Sequence, residues 1–274
     1  MPDSTDLPTD PATHQPQRAG LVIIGNEVLS AKVRDSNTPL LLDKFAAAGV
    51  QVAEVAMLPD EPPRIAAVVR EFAARFDLVV TTGGVGPTHD DCTWRAVSDA
   101  LDAPLEPHTE LIALLERRLR QPLTPEQLRL AHLPRGTELV GQDGRWPMLR
   151  LRNVYVLPGV PSLVAARIDQ ICALHRGPRP WLATVYVDVD EFAVVPDIDA
   201  VVADFADLAI GSYPIFEPDD HKLRLTFEGF DRDRVVAAVT AISARLVNTP
   251  PVRVTWQGGS DASEPSAQGS TWPR

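Results

Sequence analysis

The sequence predicts an α/β protein: a doubly wound, mostly parallel sheet, followed by a second, smaller α+β domain. Three observations carry this. Short apolar, β-branched runs at residues 19–25, 50–58, 78–82 and 154–157 alternate with helical periodicity, as expected of parallel strands buried on both faces and joined by crossover helices. The loops leaving three of those strands are rich in Gly, Pro and short polar residues, and such loops form the ligand-binding rim of an open α/β sheet. Past Gly177-Pro-Arg-Pro180, which reads as a linker, the order changes to strand, helix, strand, strand, helix.

Taken in order, residues 19–25 (AGLVIIG) form the first buried strand, and residues 37–48 an amphipathic helix stopped by Gly49. Residues 50–58 give a second strand and 63–76 a helix with Ile65, Val68, Val69 and Phe72 on one face. The run 78–82 is the third strand, and helices are expected at 91–101, 109–119 and 125–131. Residues 137–140 and 148–152 suit an edge hairpin, 154–157 a last buried strand, and the following helix runs to about His175. The smaller domain is read as strands at 182–189, 209–216 and 222–229 with helices at 197–207 and 231–245. The expected domains are thus 19–176 and 180–248. Residues 1–18 and 257–274, polar and without periodicity, read as disordered tails.

Composition excludes several classes. The 274 residues are 45% hydrophobic and carry a net charge of −11 without a basic cluster, so a nucleic acid or an acidic membrane surface is not an expected partner. The two cysteines, Cys92 and Cys172, are too few for a disulfide framework and lack Cys/His partners at zinc-ligand spacing; both are expected as reduced, buried thiols. The N-terminus has no signal-peptide core and no apolar run approaches the roughly 20 residues of a membrane span, so a cytoplasmic location is expected.

The densest signal is Asp77-Leu-Val-Val-Thr-Thr-Gly-Gly-Val-Gly-Pro-Thr-His-Asp-Asp-Cys-Thr93. A buried strand runs into a turn where Gly83, Gly84 and Gly86 let backbone N–H groups approach an anion, which suits phosphate. Asp90 and Asp91 follow at the expected start of a helix. Carboxylates there either cap the helix or, beside a phosphate, hold Mg²⁺ or another divalent metal. Two further loops end on the same rim, Gly25-Asn-Glu-Val-Leu-Ser30 and Pro158-Gly-Val-Pro161, so Glu27 is expected to converge with Asp90 and Asp91 on one anion site. Around it, Thr82 and Thr88 are candidate hydroxyl donors to phosphate. Gly25, Asp35, Asn37 and Gly159 are candidate ligand-loop residues, with capping of the helix at 37 as the alternative for Asp35 and Asn37.

These motifs, with Asp35-Ser-Asn37, Arg152-Asn-Val-Tyr-Val-Leu-Pro-Gly-Val-Pro161 and Gly211-Ser-Tyr-Pro214, resemble the MoaB/MogA-type molybdopterin-binding domain. The closest likeness is to its branch at the N-terminus of competence/damage-inducible protein A (CinA) and in the first domain of eukaryotic FAD synthase. The resemblance implies a MogA-like fold, a pterin- or nucleotide-binding rim and a homo-oligomer. In the CinA branch it also implies a divalent-metal-dependent pyrophosphatase acting on compounds such as ADP-ribose or FAD. It assigns Gly83, Gly84, Gly86 and Thr88 to phosphate, and Glu27, Asp90 and Asp91 to catalysis, with the aspartates as metal ligands. A non-hydrolytic binder of molybdopterin or a nucleotide, linked to molybdenum cofactor metabolism, stands beside that reading. Three positions depart from the family pattern: Asn26 replaces an Asp, Ala31 a Gly, and Ser162-Leu163 follow Pro161 where an acid is common. CinA's C-terminal amidohydrolase domain and the adenylyl-transferring domain of FAD synthase are not read in this sequence, so nicotinamide-nucleotide deamidation and FAD synthesis are not expected.

Overall fold

The computed structural model describes residues 16–88, 91–141, 147–216 and 220–259; most of both expected tails lies outside these residues. The chain divides into two compact units, with the boundary between Gly177 and Pro178.

In the first unit the elements run β1 (Arg18–Ile24), α1 (Asn26–Leu29), α2 (Asn37–Ala48), β2 (Gln51–Leu58), α3 (Pro62–Arg75), β3 (Leu78–Thr82), α4 (Thr93–Leu101) and β4 (Leu105–Pro107). There follow α5 (Thr109–Leu119), α6 (Pro125–Arg129), β5 (His132–Pro134), β6 (Glu138–Val140), β7 (Met148–Leu151), β8 (Val154–Leu157) and α7 (Pro161–Leu174). Six strands form one sheet in the order β2-β1-β3-β8-β7-β6, parallel from β2 to β8 and closed by an antiparallel β6–β7 hairpin at one edge. Alternation within the strands sorts two cores. Val22, Ile24, Val79, Val154 and Val156 pack under α3 and α4, whereas Leu21, Ile23, Leu78, Val80, Tyr155 and Leu157 pack under α2 and α7. Strands covered on both faces need apolar residues at every position, which is why β3 and β8 read as continuous runs. A separate two-stranded antiparallel ribbon, β4–β5, whose strands are joined through α5 and α6, borders a satellite cluster around Leu111, Leu115 and Leu133. Its three-residue strands are too short for any sequence period to mark.

The N-terminal edge is tied down further upstream than predicted. Gln17 accepts from His175 Nδ1 at 2.8 Å while His175 Nε2 meets the buried Tyr155 hydroxyl at 2.9 Å, so residues 16–18 belong to the folded unit and not to a tail. With the Gln17 amide oxygen as acceptor, Nδ1 carries the proton and Nε2 accepts from Tyr155. Burial first, and the Arg150 guanidinium second, push the His175 pKa below its usual value. The unfolded state therefore binds more protons than the folded state below the ordinary histidine pKa of about 6.5. Stability is expected to fall as pH drops from 7 towards 5, and His175→Leu is expected to remove that part of the slope. Urea midpoints measured across this range check it.

The second unit contains β9 (Trp181–Val187), α8 (Glu191–Asp204), β10 (Ala209–Pro214), β11 (Leu223–Gly229), α9 (Arg232–Arg245) and β12 (Arg253–Gly258). Its sheet is antiparallel, ordered β10-β11-β9-β12. Here the period is two. Ala183, Val185, Val187, Leu223, Leu225 and Phe227 share one face, which α8 and α9 cover through Val194, Val201, Val235, Val239 and Ile242. Two expectations need correction. The helix α8 begins six residues earlier than predicted: Asp190 caps it through the Phe192 N–H, and Pro196, a helix breaker by propensity, lies inside it. The strand β12 falls beyond the expected domain and runs into the expected tail, yet it pairs along β9 from Tyr186 to Trp181. The domain therefore extends past residue 248, and Gln257 and Gly258 are strand residues. Among the described residues, no helix is long and apolar enough to cross a membrane.

Candidate functional site

The sheet order fixes where a site forms. From β1 the chain passes to β2 on one side and then over to β3 on the other, so the loops after β1 and β3 leave the same end of the sheet in opposite directions and leave a crevice between them. The loop after β8, the next neighbour, adds a third wall.

The backbones at this point are in close contact. A Cβ on Gly83 would lie 2.0 Å from the Ile24 carbonyl oxygen, and its φ of +105° is closed to other residues. The Gly83 N–H donates to the Leu157 carbonyl at 3.2 Å, and a Cβ on Gly159 would sit 3.3 Å from Gly83 Cα. One glycine thus touches the ends of β1 and β8 together. Thr93, fully buried at the start of α4, holds the loop from behind: its hydroxyl donates to the Gly83 carbonyl at 2.7 Å and its N–H to the Gly84 carbonyl at 2.9 Å.

Asn37 is the second hub. Its Nδ2 donates to Thr82 Oγ1 and to the Gly159 carbonyl, both at 2.9 Å, joining α2 to the loops after β3 and β8. A carbonyl can only accept, so the amide orientation is fixed and Oδ1 faces away from these partners. Among the described residues Oδ1, buried in a residue only 7% exposed, has no hydrogen-bond partner, and neither do the buried hydroxyls of Thr38 and Thr81. Capping of α2 falls to Asp35 alone, whose Oδ1 accepts from the N–H groups of Asn37 and Thr38 at 3.0 and 3.1 Å.

The acidic candidates differ in placement. Asp91 precedes α4 instead of opening it, because Cys92 is the N-cap. Its Oδ2 accepts from both the N–H (2.8 Å) and the hydroxyl of Thr88. Thr88 therefore orients Asp91, and the same carboxylate lies where a Cβ on Gly86 would point, 2.5 Å away. Glu27, exposed in the one-turn α1, folds its carboxylate back over Gly25, while the Gly25 N–H bonds the Leu58 carbonyl at the end of β2. His89 and Asp90 lie outside the described residues. Among the described residues no group of three His, Cys, Asp or Glu gathers to hold a metal. Mg²⁺ needs only one or two carboxylates plus substrate phosphates, and Asp91, held in one orientation beside the glycine loop, fits that demand.

Two contributors were not singled out from the sequence. Thr93 was visible as part of the motif but carried no chemical cue. Asp60, after β2, accepts from the Asn26 N–H at 2.9 Å, so the first loop receives from a neighbouring strand end the carboxylate that Asn26 itself lacks. Ala31 stands in the left-handed region, φ 57°, where the family pattern has glycine. Its cost there is about 1 kcal/mol. Ala31→Gly is expected to raise stability by up to that amount, less the added freedom of the unfolded chain, as read from a shift in urea midpoint at unchanged m-value. Of the thiols, Cys172 is buried, and burial pushes its pKa up to about 11; Cys92 is only partly buried.

The first unit is an open α/β domain with a glycine-rich loop at its switch point and an oriented carboxylate beside it. The chain belongs to the family described as "Probable molybdopterin binding domain", whose model matches residues 20–176, and residues 180–254 match the model described as "FAD synthase, middle domain". A "Probable FAD synthase" of Caenorhabditis briggsae is 28% identical over 262 residues, covering 85% of this chain and 50% of the relative. A protein of Archaeoglobus fulgidus is 31% identical over 221 residues, covering 80% of this chain and 93% of that one. A "CinA-like protein" of Anaeromyxobacter dehalogenans is 35% identical over 170 residues, 58% of this chain and 41% of the relative. The crystal structure of CinA from Thermoplasma acidophilum, titled as a protein of unknown function, superposes on 57% of this chain and 96% of its own with a TM-score of 0.52 at 26% identity. The chain spans about half the length of the nematode FAD synthases it matches. The likeness to the MoaB/Mog-type domain and to the CinA and FAD synthase branches, drawn above from motifs, is borne out by these matches.

Proposed function

We propose that the chain hydrolyses the diphosphate bridge of a dinucleotide such as FAD or ADP-ribose in a divalent-metal-dependent reaction. Water adds to one phosphorus and the P–O–P bond breaks, giving AMP and a second phosphate monoester. The observation that carries this reading is the pairing, at one strand end, of the Gly83–Gly86 turn with the Asp91 carboxylate oriented by Thr88. Backbone N–H groups in such a turn hold diphosphate oxygens; the Gly83 N–H is taken by Leu157, so the donors here would be those of Gly84 to Gly86. Asp91, together with Asp90 as the resemblance implies, would hold the metal, which neutralises charge on the leaving phosphate, and Glu27 would be the further catalytic acid. This chain's own part is to bind and orient the diphosphate and to keep the loops closed through Asn37 and Thr93.

A second reading, a non-hydrolytic binder of molybdopterin or a nucleotide, has a specific observation in its favour. Among the described residues the buried Asn37 Oδ1 is an acceptor without a donor, and a ligand N–H or hydroxyl reaching it would satisfy it without chemistry.

The test is AMP release from FAD, ADP-ribose and NADH with and without Mg²⁺. Asp91→Asn is the diagnostic variant, since its amide oxygen still accepts from Thr88 and only the charge is lost. Metal-dependent AMP release that drops by about 10²-fold or more in Asp91→Asn supports hydrolysis. No turnover by the wild type, with ligand binding unchanged in the variant and a pterin bound instead, replaces it with the binder.

A further inference from the structure

A cleft of about 350 Å³ opens next to the glycine loop, within the range of small-ligand sites. Its position follows from the residues that line it. Val156 and Leu157, successive residues of β8, face opposite sides of the sheet, and both line the cleft, so it sits at the end of the strand and not under either face. Val85 of the glycine loop and Pro158 of the next loop form the side nearest the phosphate rim. Trp94, immediately after the Thr93 that holds Gly83 and Gly84, supplies an indole wall. The walls are otherwise aliphatic, with one charged side chain, the buried Arg167 of α7, whose Nη1 also donates to Gln170 Oε1 at 3.3 Å.

We propose that this cleft receives a planar heteroaromatic ring of the ligand whose phosphates lie at the glycine loop, with the indole of Trp94 against the ring and the Arg167 guanidinium toward its carbonyl or ring-nitrogen edge. The inference rests on the reading of that loop as a phosphate site and names what the rest of the ligand must be. A sugar would bury its hydroxyls against apolar walls, a second anion would meet one cation among apolar atoms, and an aliphatic chain would pack on the walls but offer the Arg167 guanidinium no acceptor. A flat, polarisable ring with a few acceptors matches both the shape and the charge.

The experiment uses the whole chain and three kinds of probe: FAD, inorganic pyrophosphate, and the rings alone as riboflavin and adenosine. Ala166 lines the cleft from the exposed side of α7, so Ala166→Phe narrows the cleft without disturbing a packed position. By calorimetry Ala166→Phe is expected to weaken FAD by about tenfold or more while leaving pyrophosphate binding unchanged. Trp94→Phe, which keeps an aromatic wall, assigns the fluorescence: riboflavin or adenosine is expected to quench the wild type and to lose that part of the quench in the variant. Equal FAD affinity in wild type and Ala166→Phe, with pyrophosphate bound by both, overturns the inference and leaves the phosphate loop standing. Quenching by neither ring overturns it as well. If neither pyrophosphate nor FAD binds the wild type, the reading of the loop falls first and this inference with it.

Discussion

Gly83→Ala is expected to cost about 3 kcal/mol or more of stability and to abolish binding of pyrophosphate and FAD together. The reason is geometric. The added methyl would sit 2.0 Å from the Ile24 carbonyl oxygen, a backbone atom at the buried end of β1 that cannot rotate out of the way, and φ at +105° is strained for any Cβ. Relief requires β3 and β1 to part, and that motion pulls the Gly83 N–H from Leu157 and the Gly83 carbonyl from Thr93. Gly86→Ala is the informative contrast. The nearest atoms to its Cβ are those of the Asp91 carboxylate, a side chain that can swing, and no positive φ is involved. It is expected to release the Thr88–Asp91 pair at a cost of about 1–2 kcal/mol, with pyrophosphate still bound. Paired urea titrations and calorimetry on the two variants separate a loop required for the fold from one that only aims a carboxylate. Equal stability losses in both would mean that the contact between Gly83 and Ile24 is not what holds the rim together.

Much of this was legible in the sequence because its causes are local. A strand covered by helices on both faces must be apolar throughout, so residues 78–82 and 154–157 could be bounded to the residue, and Gly49 in a left-handed cap marked the end of α2. What stayed hidden depends on partners distant in the chain. Nothing near residue 253 says that a short run after two prolines will pair with Trp181 to Tyr186, and nothing near Pro196 outweighs proline's usual meaning except the packing of Val194 and Val201 on another helix and sheet. The site divides in the same way. That three loops converge was readable from the order of strands. Which side chains fasten them was not, since Asn37 read as a ligand-loop residue or a helix cap and Thr93 carried no cue of its own, while each makes its decisive bond across a gap in sequence, Asn37 to Gly159 and Thr93 to Gly83.

Asn37→Asp tests that fastening with a change of almost no volume. The amide's Nδ2 donates to two acceptors, and one of them, the Gly159 carbonyl, can never donate in return. A carboxylate there would be an anion buried against a carbonyl oxygen, with no counter-charge bonded to it. The expected loss at pH 7 is about 3 kcal/mol or more, the usual scale for a buried charge without its partner. The pH dependence gives the mechanism away. Burial and the facing acceptors raise the pKa of the introduced carboxyl in the folded state above the unfolded value of about 3.9, so the native state takes up a proton that the unfolded state does not. The deficit is therefore smallest at low pH, where both states are protonated and the carboxyl donates one of the two bonds. It grows as pH rises until the folded-state pKa is passed. Asn37→Ala loses both bonds but introduces no charge, so its deficit is expected to be flat over the same range. If the two variants run parallel from pH 5 to 8, the amide of Asn37 is filling space and the bond to Gly159 does not hold the third loop in place.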